Sequence, residues 1–431
     1  MLDATRNERI TSVGPGTPMG EVMRRYWHPV APAAELDEDP VKDVRLLGED
    51  LVLYRDASGT LGLIGRVCPH RRMDMLYGIP EQDGLRCPYH GWLFDESGQC
   101  IEQPFETKQD PSGNFMKKIR LPGYQVQEFA GLIWAYMGPA PAPQLPKWDA
   151  FLWENAVREI SISHLPCNWL QGVENSLDPV HTEWLHGVYP EYLRNKRGRK
   201  SAWIKPHMHE KVGFDVYEYG VIKRRLLEGA SEQDDLWAVG HPLLMPYTLF
   251  QGSEVSCNFQ WRIPVDDTNT IYMRYTIYTA APGRTAPVQE KVPYYYAAIR
   301  DERGRLHMDT VNNQDASAWV AQGPLARRDL EKLGRSDEGI ILFRRLLEQQ
   351  IQTVNDGGDP IGVMRTAEEA TGIKLPLEEG GVGGIDPARL AYRPPLQPID
   401  GDYGPVKPMA DQVIKGWQEY LTKERAAGSA H

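Results

Sequence analysis

The sequence predicts an α+β protein: a small, turn-rich β domain followed by a larger domain that sets helices around an antiparallel sheet. Three observations carry this. Short apolar runs broken by Gly- and Pro-containing turns fill residues 46–138. The segment 138–148 holds four Pro and reads as a semi-rigid linker. Beyond it, in 139–354, strand and helix periodicities mix.

Residues 1–45 read as a helical lead-in. Pro18 opens a pattern continued by Met19, Val22, Met23 and Trp27, since Pro is tolerated in a first helical turn. From about Asp50, Leu51–Tyr54 and Leu61–Ile64 flank a DASGT turn, a hairpin signal. Further short strands fit Trp92–Phe94, Ile101 and Leu132–Tyr136. After the linker, residues 168–187 are helix-like but interrupted by Pro179. Residues 255–265 and 271–279 alternate around a DDTNT turn, with Cys257, Phe259, Trp261, Ile263 and Val265 on one side and Ser256, Asn258, Gln260 and Arg262 on the other. This predicts a half-buried antiparallel hairpin. Residues 328–352 read as an amphipathic helix, and 355–431 as an extended C-terminal extension that packs on the second domain.

Composition narrows the function. Hydrophobic residues make up 41% and charged residues 25%, which excludes a disordered chain, a collagen-like repeat and a disulfide scaffold. A formal net charge of −11 argues against a nucleic-acid-binding face. No apolar run reaches the roughly 18 residues of a membrane helix. The start MLDATRNERI lacks a basic-then-apolar leader, so a cytoplasmic protein without a membrane partner is expected. In that reducing compartment the five Cys are expected as metal ligands or packing residues rather than disulfides.

The strongest signal is Cys68-Pro-His70, then sixteen residues, then Cys87-Pro-Tyr-His90-Gly-Trp92. Each of two short loops offers one thiolate and one imidazole. Zinc takes such a set tetrahedrally, usually with paired Cys followed by paired His. One Cys and one His per loop suits a Rieske [2Fe–2S] centre, where two Cys hold one iron and two His the other. A second set follows: Asp178-Pro-Val-His181-Thr-Glu-Trp-Leu-His186. Two His plus a carboxylate form the facial triad of non-haem Fe(II) oxygenases. On an ideal helix His181 and His186 stand about 140° apart, so a distorted helix is expected to bring them together.

These motifs resemble the Rieske non-haem iron aromatic oxygenases. The run Asn313-Gln314-Asp315-Ala-Ser-Ala-Trp319, followed by GPLARRDLEKLGRSDEGI, is similar to the phthalate dioxygenase-like branch. The resemblance implies a Rieske β domain and a helix-grip catalytic domain, in the terminal oxygenase alpha subunit. It implies Asp315 as the third iron ligand, with Asp309 a nearby rival. It also implies that Asp178 bridges an iron His of one subunit and a Rieske His of the next, in a homotrimer or dimer of trimers. Helix capping before Pro179 is the alternative role for Asp178.

The expected activity is O2-dependent hydroxylation or O-demethylation of an aromatic substrate, an aromatic carboxylate by branch, with phthalate-type cis-dioxygenation as the alternative. A Rieske electron carrier or a zinc protein is the reading from a different class. GPGTPMG (14–20) and GGVGGID (380–386) both fail the dinucleotide-binding spacing, so electrons are expected from a separate reductase or ferredoxin. Lys223, Arg224, Arg225, Arg262 and Arg274 are candidate substrate cations. The run 194–200 reads as a solvated loop that also suits the pocket mouth. Arg66, Arg71, Arg72 and Arg86 suit docking of an acidic electron donor. His207 and His209 read as a structural or surface pair, and His164, Cys100, Cys167 and Cys257 as packing residues.

Overall fold

The computed structural model describes residues 2–196, 198, 208–308, 310–378 and 405–428. Antiparallel pairing organises both halves of the chain. In the first, one six-stranded sheet runs in the order Trp27–Pro32, Leu132–Tyr136, Gly123–Phe129, Leu61–Gly65, Glu49–Arg55, Val41–Leu46. The DASGT turn forms as the sequence suggests. Asp56 Oδ1 accepts the backbone N–H of Ser58 (2.9 Å) and Thr60 (2.8 Å), an Asx turn that closes the hairpin. A four-stranded sheet of Ile79–Glu81, Gly84–Arg86, Leu93–Phe94 and Cys100–Glu102 stands beside it and carries the second Cys/His loop.

The second half is built on an eight-stranded sheet. Its order is His209–Tyr217, Gly220–Leu227, His241–Leu244, Thr248–Gly252, Ser256–Asp266, Asn269–Thr279, Ala156–Leu165, Tyr294–Tyr296. Helices Trp169–Ser176 and Val311–Ala321 cover its polar face. The hairpin is therefore buried on both sides at its centre, not half-buried. Gln260 and Arg262 lie inside, with the Arg262 guanidinium 5.3 Å from the Tyr272 ring and 5.2 Å from the Trp319 ring. Alternation showed the polar residues, but not the helices that would cover them.

The halves pack as one body. Fully buried His28 joins the Met23 carbonyl (2.9 Å) to the Tyr247 hydroxyl, and the Leu47 and Gly48 amides donate to Pro264 and Val265 carbonyls (3.1 and 2.8 Å). Three expectations are corrected here. The 1–45 lead-in is helical only in part: after Ala4–Thr11 and Pro18–Met23 come strands Trp27–Pro32 and Val41–Leu46. Trp27 starts an edge strand, where Pro29 and Pro32 need not donate to a ladder. The 328–352 helix begins only at Glu338, because Arg328 is drawn into the core by Glu174 (2.8 Å) and Asp337 accepts the Gly334 N–H (2.6 Å). The 355–431 segment is not simply extended. Thr371–Ile373 pairs in parallel with Lys147–Trp148, and Lys407–Gly428 is a helix whose Val413, Ile414, Trp417 and Leu421 pack on Val157 and Tyr278. Residues 379–404 lie outside the described residues.

Candidate metal centres and active site

The two Cys/His loops are built alike. In each, the Cys carbonyl accepts the N–H four residues on (Arg72 3.0 Å, Gly91 3.0 Å), and the Cys N–H donates to the carbonyl five residues on (Met73 2.9 Å, Trp92 2.8 Å). Both loops turn on a left-handed residue, Arg72 at φ 63° and Gly91 at φ 75°. The thiols of Cys68 and Cys87 are buried and the imidazoles of His70 and His90 half-exposed. The two rings stand 4.3 Å apart, and Trp92 stacks on His70 at 4.4 Å and 8°.

These residues fit an iron–sulfur cluster. Burial, with the Cys87 sulfur close by, pushes the Cys68 thiol up to about 12, so its ionised form needs a metal. His70 Nδ1 is buried without a hydrogen-bond partner. A single zinc ion fits less well. Ligand bonds of about 2.1–2.3 Å would hold all four donor atoms within roughly 4 Å of one another. Among the described residues the only three or more such atoms within 4.8 Å of one another belong to His181, His186 and Asp315.

That second group is assembled by a π-helix, Thr182–Val188, entered from His181. Its i→i+5 bonding brings residues five apart onto one side, which an α-helix would not. The rings of His181 and His186 stand 5.0 Å apart. Their Nε2 atoms approach Asp315 Oδ1 at 3.5 and 3.0 Å, from helix Val311–Ala321 across the gap. Neighbouring ligands on one metal at about 2.1 Å stand roughly 3 Å apart. Asp315 Oδ1 is buried without a hydrogen-bond partner, as an oxygen aimed at a metal would be. Burial opposes the Asp315 charge, but His181 and His186 hold its carboxyl well below the usual range. Burial also opposes the His181 cation, yet Asp178 and Asp315 push it up to about 9.

Both imidazoles turn Nδ1 outward. His186 Nδ1 meets Gln314 Oε1 at 2.9 Å, an orienting contact of the kind that fixes a ligand's tautomer. Gln314 was quoted in the sequence motif without a role; its place directly before Asp315 was the available signal. Asp178 Oδ1 accepts the Val180 (2.9 Å) and His181 (3.2 Å) backbone N–H groups, so it caps the distorted helix. Its Oδ2 faces His181 Nδ1 at 3.6 Å, too far for a hydrogen bond, and the side chain stays partly exposed.

The structure sorts the candidate cations. Lys223 and Arg225 alternate on Gly220–Leu227 and so share a face, with His241 opposite Lys223 in the next strand. Arg224 points the other way, to Asp215 (2.6 Å) and the Trp237 carbonyl (2.6 Å). Lys223 is only 6% exposed and has no carboxylate partner among the described residues, while Asp178 and Asp315 lie within its electrostatic reach. Burial and neighbouring Arg225 lower it to about 7. Arg262 is held by Gln260 beneath the helices (2.8 Å), and Arg274 is also half-hidden in the sheet.

Around the first centre, Arg66 is tied to Asp74 (2.8 Å) and Arg86 to Glu81 and Glu102 (both 2.6 Å). Arg71 stacks over Tyr89, and Arg72 has no carboxylate partner among the described residues. His209 is paired with Glu183 at 2.7 Å. Cys100, Cys167 and Cys257 are buried, but His164 is exposed and stacked on Tyr296, so it is not a core residue. The run 194–200 is not all loop, since the helix Tyr189–Lys196 takes its first three residues; Asp309, His207 and residues 197, 199 and 200 lie outside the described residues.

Comparison with known proteins agrees with this architecture. Residues 26–125 match the Rieske [2Fe-2S] domain model and residues 304–374 the "LigXa C-terminal domain like" model. The 5,5'-dehydrodivanillate O-demethylase oxygenase subunit of Sphingobium sp. strain SYK-6 is 44% identical, covering 87% of each chain. The phenoxybenzoate dioxygenase subunit alpha of Ectopseudomonas oleovorans is 34% identical, over 82% of this chain and 87% of that one. In fold, the chain resembles the terminal oxygenase of carbazole 1,9a-dioxygenase from Novosphingobium sp. KA1, with a TM-score of 0.57 at 20% identity, over 80% of this chain and 98% of that one. This chain belongs to the Rieske non-haem iron oxygenases, as an oxygenase subunit of the phthalate dioxygenase-like branch. Its cofactors are accordingly a Rieske [2Fe–2S] cluster and a mononuclear iron, and the electron-carrier and zinc readings fall away.

Proposed function

We propose that this oxygenase acts on an aromatic carboxylate, hydroxylating it or removing an O-methyl group. The observation that carries the substrate class is Lys223: a buried amine without a carboxylate partner among the described residues, beside Arg225 and within electrostatic reach of the iron triad. A buried charge of this kind calls for a counter-ion, and a substrate carboxylate supplies one. Two relatives, by name, act on dehydrodivanillate and phenoxybenzoate.

In this reading Cys68 and Cys87 hold one iron of the cluster, and His70 and His90 the other. His181, His186 and Asp315 hold the mononuclear Fe(II). When bound, the cluster passes electrons singly and the mononuclear iron activates O2. The chain's own residues orient what binds there. Gln314 fixes the His186 ring, Asp178 holds the turn that presents His181, and Lys223 with Arg225 anchors the acid so that the far end of the ring faces the triad. Electrons come from a separate reductase or ferredoxin, with Arg71 and Arg72 available to an acidic donor beside the first centre. Asp178, partly exposed, links the triad to the Rieske histidines of a neighbouring copy in a homotrimer or a dimer of trimers. The compartment is the cytoplasm; among the described residues no helix is long and apolar enough to cross a membrane.

The test is turnover of a panel of aromatic acids and matched neutral arenes with a surrogate reductase. Products are identified by mass, and formaldehyde release reports O-demethylation. Faster turnover of neutral hydrocarbons than of any acid would overturn the carboxylate reading.

A further inference from the structure

Gln103 follows the strand Cys100–Glu102 and is fully buried, yet neither of its amide atoms has a hydrogen-bond partner. Among the described residues no other side chain buries two such atoms. An amide placed this way gives up its bonds to water and regains none, so it calls for a missing partner.

Its surroundings say what kind. Glu102, just before it, bonds Arg86 (2.6 Å), which in turn donates to the Gly91 carbonyl (2.5 Å) beside His90. Pro104, just after it, lies against Gly91, where an added Cβ would stand 3.2 Å from the Pro104 ring. Gln103 is thus held against the second Cys/His loop from both sides. Its amide lies close enough to the Cys100 sulfur to favour the thiolate there, though not at hydrogen-bond geometry, and Cys100 lies within electrostatic reach of Cys68. Cys68, Cys87, Trp92, Phe94 and Cys100 form one buried apolar cluster here. The Cys100 thiol is a weak donor directed at the Glu102 carbonyl (3.6 Å), and its neutral sulfur is only a weak acceptor for the Gln103 N–H groups. Negatively charged sulfur is the acceptor that a Rieske cluster would bring to this pocket.

We infer that the Gln103 side-chain amide donates an N–H hydrogen bond to a sulfur of the [2Fe–2S] cluster and thereby sets its reduction potential. Reduction adds one negative charge to the cluster. A donor aimed at sulfur therefore stabilises the reduced form more than the oxidised form, and the potential rises. This holds whichever substrate the oxygenase takes.

The first measurement needs no variant. Wild-type holoenzyme carrying 15N at the glutamine side-chain amides, chemically reduced, should show a weakly coupled 15N nucleus in pulsed EPR of the cluster. Gln103→Met should abolish that coupling and keep cluster content. Its potential should fall by the equivalent of about a tenfold change in the reduction equilibrium, roughly 59 mV for one electron. Absence of 15N coupling in the wild type overturns the assignment. So does a coupling that survives in Gln103→Met, which would belong to Gln99, whose amide is tied to the Cys100 and Ile119 carbonyls (3.1 and 3.0 Å). An unchanged potential in a loaded Gln103→Met protein overturns the tuning role. Should Gln103→Met lose its cluster, Gln103→Leu supplies the potential; should both lose it, the wild-type coupling decides alone.

Discussion

Lys223 shows how much one side chain contributes once its surroundings are known. The charged groups around it are Arg225 on its own strand, Asp178 and Asp315 from the iron site, and Arg262 below, with His241 opposite on the next strand. Burial and Arg225 outweigh the two carboxylates and lower Lys223 to about 7. A lowered Lys is charged below that pH and neutral above it. The kcat/KM for an aromatic acid, which reports the free enzyme, should therefore fall as pH rises through about 7. A Lys223→Arg variant should keep its activity flat across that range, and Lys223→Met should lose about tenfold or more at pH 6, by the roughly 1.5–3 kcal/mol of a charged hydrogen bond. A pH profile shared by wild type and Lys223→Arg would assign the titration elsewhere. The two metal sets should also separate at this scale. Cys68→Ser should lose the cluster absorption, while Asp315→Ala should keep it and lose the single iron, as metal analysis of each purified variant would show.

At the scale of elements, the π-helix and the helix before it place the triad. Gly172 lies where Trp169–Ser176 crosses the sheet. A Cβ there would stand 2.9 Å from Arg262 Cγ and 3.1 Å from Trp319. Trp319 sits one turn from Asp315 on the opposing helix. Gly172→Val should therefore push the two helices apart, cost about 1–3 kcal/mol of stability, and weaken mononuclear iron binding. The Rieske spectrum should stay unchanged, since its loops lie in another sheet. Equal loss of both centres would mean that the damage is global unfolding.

Across the whole molecule, charge is buried where segments meet. Glu174, on the helix Trp169–Ser176, takes Arg328 (2.8 Å) and Arg344 (2.6 Å), and Arg344 continues to Glu331 (2.7 Å) while Arg328 reaches Asn7 (3.1 Å). This network joins the helices Ala4–Thr11, Trp169–Ser176 and Glu338–Asn355. Glu174→Gln leaves two buried guanidiniums short of charge and should cost about 3–5 kcal/mol, read as a lowered denaturation midpoint. In the proposed trimer, electron delivery runs between subunits. Asp178→Asn keeps the cap's shape but removes its charge. It should leave both metals loaded and the oligomer intact, while single-turnover oxidation of the reduced Rieske centre slows by orders of magnitude. An unchanged rate, or a fully active monomer, would sink the bridging role.

The candidate ligands could be picked out in the sequence because metal ligands need particular side chains at short, fixed spacings. Cys68, His70, Cys87, His90, His181 and His186 declared themselves that way. The DASGT hairpin and the strands around it were legible because turn chemistry and alternation are local. Asp315 lies far along the chain, and only resemblance pointed to it before the fold brought it to 3.0 Å from His186. Tertiary structure decided what depends on neighbours distant in sequence: that the 181–186 pair faces one side through a π-helix, that Trp27 pairs as an edge strand, and that Gln260 and Arg262 are buried. It also decided that Lys223 and Arg225 share a face while Arg224 turns away to Asp215, and that the buried Gln103 amide has no hydrogen-bond partner. Burial is a property of what packs on top, and the local sequence does not contain it.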